Sequence, residues 1–297
     1  MSPFWSMYVT ILTLFTIGAC YWMIRWTTKK RSDEAAQGHV TGHTWDDDLQ
    51  EYNNPLPRWW LGLFYITIFF ALGYLMFYPG LGNVEGRFAW TQVNQYEQEM
   101  QEADRTYGPI FAAFAKQDMV ALAKDPKAMT AGRNLFLNNC ATCHGSDAQG
   151  APGFPNLADK DWIYGGEAQT IKDSILKGRV SVGMPAMGMG MTEVTLNALV
   201  DYVLSLSGQP VNAQSAKAGK VIFDGMCVAC HGPEGKGMQA LGAPNLTDNI
   251  WLYGGTPAVI KETLLKGRKG IMPAHADILG DDKAHLIAAY VYGLSVN

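Results

Sequence analysis

Cys140, Ala141, Thr142, Cys143 and His144 form a C-x-x-C-H pentad, and Cys227, Val228, Ala229, Cys230 and His231 repeat it. Two thiols one helical turn apart suit thioether bonds to the two vinyl groups of one haem, and the histidine that follows offers an imidazole to the iron. Four of the five cysteines are committed to these pentads, so the pattern predicts two covalent c-type haems. Cys140, Cys143, Cys227 and Cys230 are the thioether residues in this reading, and His144 and His231 the iron ligands. A zinc ribbon also pairs two C-x-x-C segments, but about 15–20 residues apart; these lie more than 80 residues apart. A thioredoxin-like redox pair belongs beside a βαβ pattern, and neither pentad sits in strand-rich sequence. No catalytic residue is predicted.

Two small haem domains leave much of a 297-residue chain to be explained. The net charge of -4 gives no basic footprint for nucleic acid. Residues 4–26 and 59–78 are apolar runs, each long enough to span a bilayer as a helix. Aromatic residues mark their ends: Trp5, Tyr8, Tyr21, Trp22 and Trp26 for the first, Trp59, Trp60, Tyr74, Phe77 and Tyr78 for the second. A secretory signal would open on a basic region, yet the first basic residue is Arg25. The run is therefore expected to stay as a span, with Cys20 a small helix residue rather than a lipid anchor. Thr10, Thr13 and Thr16, with Gly18 nearby, would form a face for another membrane helix, unless the threonines bond their own backbone.

Lys29, Lys30 and Arg31, supported by Arg25 and Arg58, crowd the segment between the runs, which predicts a cytoplasmic loop and both chain ends on the far side. His39 and His43 in this loop have the spacing of helical ligands, but Gly38, Thr41 and Gly42 oppose a helix there, so no metal site is assigned. Pro55 and Pro57 should stop any helix before the second span, and Pro79 with Gly80 should end that span. Residues 88–124 read as one or two connecting helices.

The stretch from Trp45 to Trp60, WDDDLQEYNNPLPRWW, resembles the signature ahead of the transmembrane helix in the dihaem membrane subunit, the P subunit, of cbb3-type cytochrome c oxidases. The order of two C-x-x-C-H segments downstream matches that family too, and the resemblance covers nearly the whole chain. Many relatives have one clear span, whereas this chain has an additional N-terminal one.

From Ala131 onward the sequence is a duplication with offsets of 87–89 residues. Pro155-Asn156-Leu157 matches Pro244-Asn245-Leu246; Trp162, Tyr164, Gly165 and Gly166 match Trp251, Tyr253, Gly254 and Gly255; Lys177-Gly178-Arg179 matches Lys266-Gly267-Arg268; and Met184-Pro185-Ala186 matches Met272-Pro273-Ala274. Two copies of one fold follow. Asp125 with Pro126, and Ser215, are start signals for an opening helix in each copy. Leu196, Leu199, Val200 and Val203, and later Leu286, Ala289 and Tyr290, form apolar stripes for a closing helix. Both copies resemble class I cytochromes c, in which the first and last helices cross beside the haem. Gly132 and Gly219 would permit that approach within each copy, with Phe136 and Phe223 packed against Tyr202 and Tyr290.

The same resemblance implies a methionine as sixth iron ligand. Met184 and Met272 stand at equivalent places, each followed by Pro-Ala, and each copy is expected to supply its own. Met187, Met189 and Met191 compete with Met184, and His275 competes with Met272 in the second copy. By resemblance, the carbonyls of Pro155 and Pro244 would accept from the proximal histidines. Arg179, Arg268, Tyr164, Tyr253, Trp162 and Trp251 would hold the propionates, with surface pairing or plain packing as the alternative for any one of them.

The expected architecture is all-α. It comprises a transmembrane helix (1–28), a cytoplasmic loop (29–57), a second transmembrane helix (58–80), a helical connector (81–124) and two tandem class I cytochrome c domains (125–209 and 210–297). Neither apolar run contains histidine, so neither can ligate a b-type haem or build a copper site. The family resemblance implies an electron carrier in a bacterial inner membrane, with haem domains and both termini periplasmic. It would take electrons from soluble or membrane-bound cytochrome c and pass them toward the haem-copper centre of a catalytic subunit, beside a monohaem membrane cytochrome c subunit. A dihaem cytochrome c of another respiratory complex would lack the WDDDLQEYNNPLPRWW signature. A dihaem peroxidase or gas sensor would need an open iron position, which two matched Met-Pro-Ala segments oppose.

Overall fold

The computed structural model describes residues 1–296 and divides into two compact units, Met1–Arg105 and Thr106–Asn297. Asn297, the last residue of the expected second haem domain, lies outside the described residues.

In the first unit, α1 (Pro3–Thr27) and α2 (Arg58–Phe77) are apolar all round, and both are long and apolar enough to cross a membrane. At a rise of about 1.5 Å per residue the shorter spans about 30 Å, the thickness of a hydrocarbon core. They meet through Tyr21 and Tyr65, whose rings lie 6.2 Å apart. Thr10 and Thr16 donate to the carbonyls of Ser6 and Leu12, so the local bonding alternative applies to these two threonines. Pro57 caps α2 and Tyr78 ends it, as the flanking prolines require. The loop between the helices is not wholly irregular: β1 (Val40–Trp45) and β2 (Leu49–Tyr52) form an antiparallel hairpin. The chain is otherwise mostly helical, as expected; the hairpin was not anticipated because β-branched and aromatic residues there are interrupted by glycines and polar residues. His43 packs its ring 4.4 Å from that of Trp45.

The connector is α3 (Gln92–Ala115) and one turn, α4 (Met119–Leu122). Next come α5 (Pro126–Asn139), α6 (Ala141–His144), α7 (Ala168–Lys177), β3 (Arg179–Val180) and α8 (Glu193–Leu206). The second copy repeats this order as α9 (Ala213–Met226), α10 (Val228–His231), α11 (Pro257–Lys266), β4 (Ile271–Met272) and α12 (Ala276–Val296), the last kinked at Gly280. Asp125 caps α5 by accepting from Lys127 and Ala128; in the second copy the cap is Asn212, accepting from the Ser215 backbone N–H, rather than Ser215 itself.

The helix pairing differs from the expected one. Each copy's first helix packs against the other copy's last: α5 against α12, and α9 against α8. Phe136 meets Tyr290, with ring centroids 5.6 Å apart, and Phe223 meets Tyr202 at 5.1 Å. The two glycines make these crossings possible. A Cβ on Gly132 would lie 2.7 Å from that of Tyr290, and one on Gly219 would run into the carbonyl of Ala198. One apolar core therefore joins α5 and α7 to α12 around Phe136, Leu286 and Ile287; the other joins α8 to α9 and α11 around Leu199, Phe223 and Leu264. The physical reason is the connection: only residues 207–212 join α8 to α9, and a link this short favours an antiparallel helix pair.

Candidate haem sites

The two pentads adopt the same local geometry. Cys140 ends α5 and opens α6, Cys227 ends α9 and opens α10, and a glycine with positive φ stops each turn after the histidine. The backbone N–H groups of Cys143 and His144 both donate to the Cys140 carbonyl, which holds the two thiols one turn apart; Cys230 and His231 do the same with Cys227. Beyond each turn the chain loops back, so that His144 Nδ1 lies 3.0 Å from the Pro155 carbonyl and His231 Nδ1 3.1 Å from that of Pro244. A carbonyl only accepts, so the proton sits on Nδ1 and the Nε2 lone pair is left for a metal.

The electrostatics favour the neutral ligand form. Burial lowers the pKa of His144, the Pro155 bond opposes this, and His275 adds to the lowering. Burial likewise lowers His231, against the Pro244 bond. Burial and then Cys143 push the Cys140 thiol up to about 11, and burial with Cys230 raises Cys227. Redox and metal-binding cysteines work as thiolates and have depressed values, the opposite of the direction at Cys140 and Cys227. Among the described residues no three His, Cys, Asp or Glu side chains gather as a metal site.

Around the turns, the predicted side chains fall into matched sets. The Arg179 guanidinium lies 5.0 Å from the Tyr164 ring and its Nε donates to Ser174; Arg268 lies 4.5 Å from Tyr253 and donates to Thr263. Trp162 packs on the first core and Trp251 on the second. The structure exchanges the methionines. Met272 packs on the core that holds Cys140, whereas Met184 and Met191 pack on the core that holds Cys227. Met189 is 74% exposed and reaches neither. His275, expected beside the second pentad, lies close enough to His144 to affect its charge.

His275 also bears on fit. Its buried Nδ1 has no hydrogen-bond partner among the described residues. An unmet buried polar atom costs about 1–3 kcal/mol, a cost that a polar group on a bound haem would offset. Two thiols, a free imidazole Nε2, a thioether and an arginine-tyrosine pair per site fit haem c. Sequence reasoning missed the exchange and the role of Lys172, whose largely buried ammonium reaches Asp281 at 2.8 Å; the short 207–212 link was the available signal.

Residues 37–85 match the model of the N-terminal domain of cytochrome oxidase-cbb3, FixP, and residues 127–203 and 214–291 each match the cytochrome c oxidase, cbb3-type, subunit III model. The chain belongs to the CcoP/FixP family of cbb3-type cytochrome c oxidase subunits. It is 47% identical to the CcoP subunit of Rubrivivax gelatinosus over 98% of this chain and 95% of that one. It is also 39% identical to the FixP subunit of Bradyrhizobium sp. strain ORS 278, over 88% and 96%, and 37% identical to the CcoP subunit of Cereibacter sphaeroides, over 90% and 98%. A CcoP/FixP chain is an electron-transfer subunit of the oxidase and carries c-type haem. The first family model covers the β1–β2 hairpin and α2; the two later matches follow the duplicated sequence and not the composite cores.

Proposed function

We propose that this CcoP/FixP subunit holds two haems c, one on Cys140, Cys143 and His144 and one on Cys227, Cys230 and His231, and relays electrons from a cytochrome c toward a catalytic haem-copper subunit. The observation that carries the reading is the repeated thiol, imidazole and proline-carbonyl arrangement, with the same hydrogen bond at 3.0 and 3.1 Å. When bound, haem c supplies reversible one-electron exchange at iron. His144 and His231, kept neutral by burial and oriented by Pro155 and Pro244, present Nε2. Met184 and Met272 would each offer a thioether, which favours the reduced state of a bound haem iron. Arg179 and Arg268, fixed by Tyr164 and Tyr253, supply cations for carboxylates.

The lysine and arginine bias of residues 25–31 supports placing the loop between α1 and α2 in the cytoplasm and both haem sites in the periplasm of a bacterial inner membrane. The spans lack histidine, so the oxygen-reducing centre belongs to a partner, alongside a monohaem membrane cytochrome c subunit. Intact mass and haem quantification should give two haems per chain, and carbon monoxide should scarcely perturb the spectrum of the isolated subunit. One haem per chain, or avid carbon monoxide binding at both irons, refutes the reading. Purification in mild detergent should recover the two partner subunits.

A further inference from the structure

We propose that the uncovered apolar stripe of α3 is a docking surface for a helix of a partner subunit, one whose own apolar stripe is flanked by lysine or arginine. This rests on the chain's place among the subunits of the oxidase and not on the number of haems it holds.

The stripe follows from spacing. Val93, Tyr96, Met100, Ala103, Tyr107 and Ile110 recur at alternating intervals of three and four residues, the a and d positions of a helix that packs along another helix. At about 1.5 Å per residue they run along one side of α3 for about 26 Å. The same stripe continues to Phe114, which packs with Phe111 against the first core. Its last turn is therefore covered, and the turns before it are not. No residue of α3 is buried, and the five large side chains of the stripe are 42–63% exposed. A contiguous apolar surface of this kind marks an interaction site, whereas singly scattered apolar residues do not.

The residues beside the stripe select its occupant. Glu97, Glu99 and Asp104 stand at the flanking positions, and among the described residues no cation pairs with them; Glu99 accepts only from the neutral Gln95. The one cation of the helix, Arg105, bonds Glu102 on the far side. A second copy of this chain is a poor occupant. In a parallel pair Glu99 would face Asp104 of the other copy, and in an antiparallel pair acid would again meet acid, the arrangement that helix pairs use to exclude a partner. A membrane surface is poor as well, because helices that lie on bilayers carry Lys and Arg on the polar face. Here that face has four carboxylates and one arginine. An amphipathic helix with flanking cations covers the apolar stripe and neutralises its edges at once.

A photoactivatable phenylalanine analogue placed at Tyr96 of the full-length subunit, in the oxidase assembled in its membrane, tests the occupant, with the same analogue at Gln98 on the far side as control. The Tyr96 probe should link to a peptide of another oxidase subunit in which Lys or Arg flanks apolar residues at three- and four-residue intervals, and the Gln98 probe should not. Links from Tyr96 to a second copy, to lipid, to another part of the same chain or to a peptide without that pattern overturn the proposal, as does a yield no higher than at Gln98. The charges are tested by combining Glu97→Lys, Glu99→Lys and Asp104→Lys. Loss of this subunit from the detergent-purified oxidase should become about tenfold faster at low salt, with the difference shrinking in about 0.5 M salt. Changing the cations of the linked peptide to glutamate should restore retention; unchanged retention of the triple variant at low salt refutes the charge pairing. The haem spectrum of the variant should match that of the unsubstituted subunit, which shows that the haem domains are intact. Fewer than two haems in the unsubstituted subunit would strike the two-haem relay and leave the docking surface standing, whereas two haems with no link at Tyr96 would do the reverse.

Discussion

Gly219 and Gly225 lie on the same helix, α9, and converting each to alanine should move stability in opposite directions. In a helix interior alanine is favoured over glycine by about 1 kcal/mol, so propensity alone predicts a gain at both. At Gly225 nothing lies within 4 Å of the new methyl group, and the gain should survive. At Gly219 the methyl group would collide with the backbone carbonyl and carbonyl carbon of Ala198 and lie 2.9 Å from the Tyr202 Cβ. A carbonyl in the middle of α8 cannot rotate away, so the helices must separate, loosening the contact between Phe223 and Tyr202. Overpacking of this kind costs about 1–3 kcal/mol, and here both obstacles are close to rigid backbone. The upper part of that range, less the propensity gain, leaves a net loss of about 1–2 kcal/mol. For a compact unit running from Thr106 to the chain end that corresponds to a melting temperature lower by roughly 2–8 °C. Thermal melts of the holoprotein, followed by helix signal and by the haem band, measure both variants. Equal shifts of the same sign for Gly219→Ala and Gly225→Ala would refute the close crossing of α8 and α9.

Three further outcomes follow from local interactions. Asp125→Ala removes the acceptor for Lys127 and Ala128 at the start of α5 and should cost about 1 kcal/mol in chemical denaturation. Lys172→Met should cost less than a fully buried ion pair would, roughly 1 kcal/mol or below, because Asp281 stays 66% exposed; a double-mutant cycle with Asp281→Asn should show the coupling. Asp159 and Asp161 have raised pKa values, first by burial and then by neighbouring carboxylates that include Asp248. An acid whose folded-state pKa is raised loses stability as pH climbs past its unfolded value. Asp161→Asn should therefore raise the melting temperature at neutral pH and have no such effect below about pH 3, where the carboxylates are protonated; a pH series of melts checks it.

The features legible in the sequence were those set by short-range chemistry. The pentads specify two thiols and an imidazole within five residues, and the helix that starts at Pro126 follows from a capping aspartate and a proline. The apolar stripe Leu196, Leu199, Val200 and Val203 is buried as its spacing requires. The approach of Pro155 to His144 came from family resemblance, because a contact across eleven residues depends on how the intervening loop turns. The exchange of closing helices was illegible for a stronger reason. The two copies carry the same residues at Phe136 and Phe223, Gly132 and Gly219, Tyr202 and Tyr290, so either pairing satisfies the pattern. Only the connections break the tie, and the one signal they leave in the sequence is the shortness of the 207–212 link.

That degeneracy has an energetic consequence for the first core. Leu286, Ile287, Tyr290 and Val291 on α12 are all less than a tenth exposed, and they cover Phe136 and Leu122, which are fully buried. At about 1.5–3 kcal/mol for each large apolar side chain, these four alone contribute roughly 6–12 kcal/mol, an upper estimate because unfolded chains already bury some surface. The figure is comparable with the whole net stability of a small domain, about 5–15 kcal/mol. A chain ending after residue 209 would retain every residue of the first sequence copy, pentad included, yet lack the helix that closes its core. Its own last helix, α8, would have lost α9 and α11. Such a chain can recover only by turning α8 onto α5, a pairing the repeat permits but the full-length fold does not use. Limited proteolysis of this truncation should cut within residues 126–177 at rates far above those of the full-length protein; equal protection in the two would mean that the first copy closes on itself.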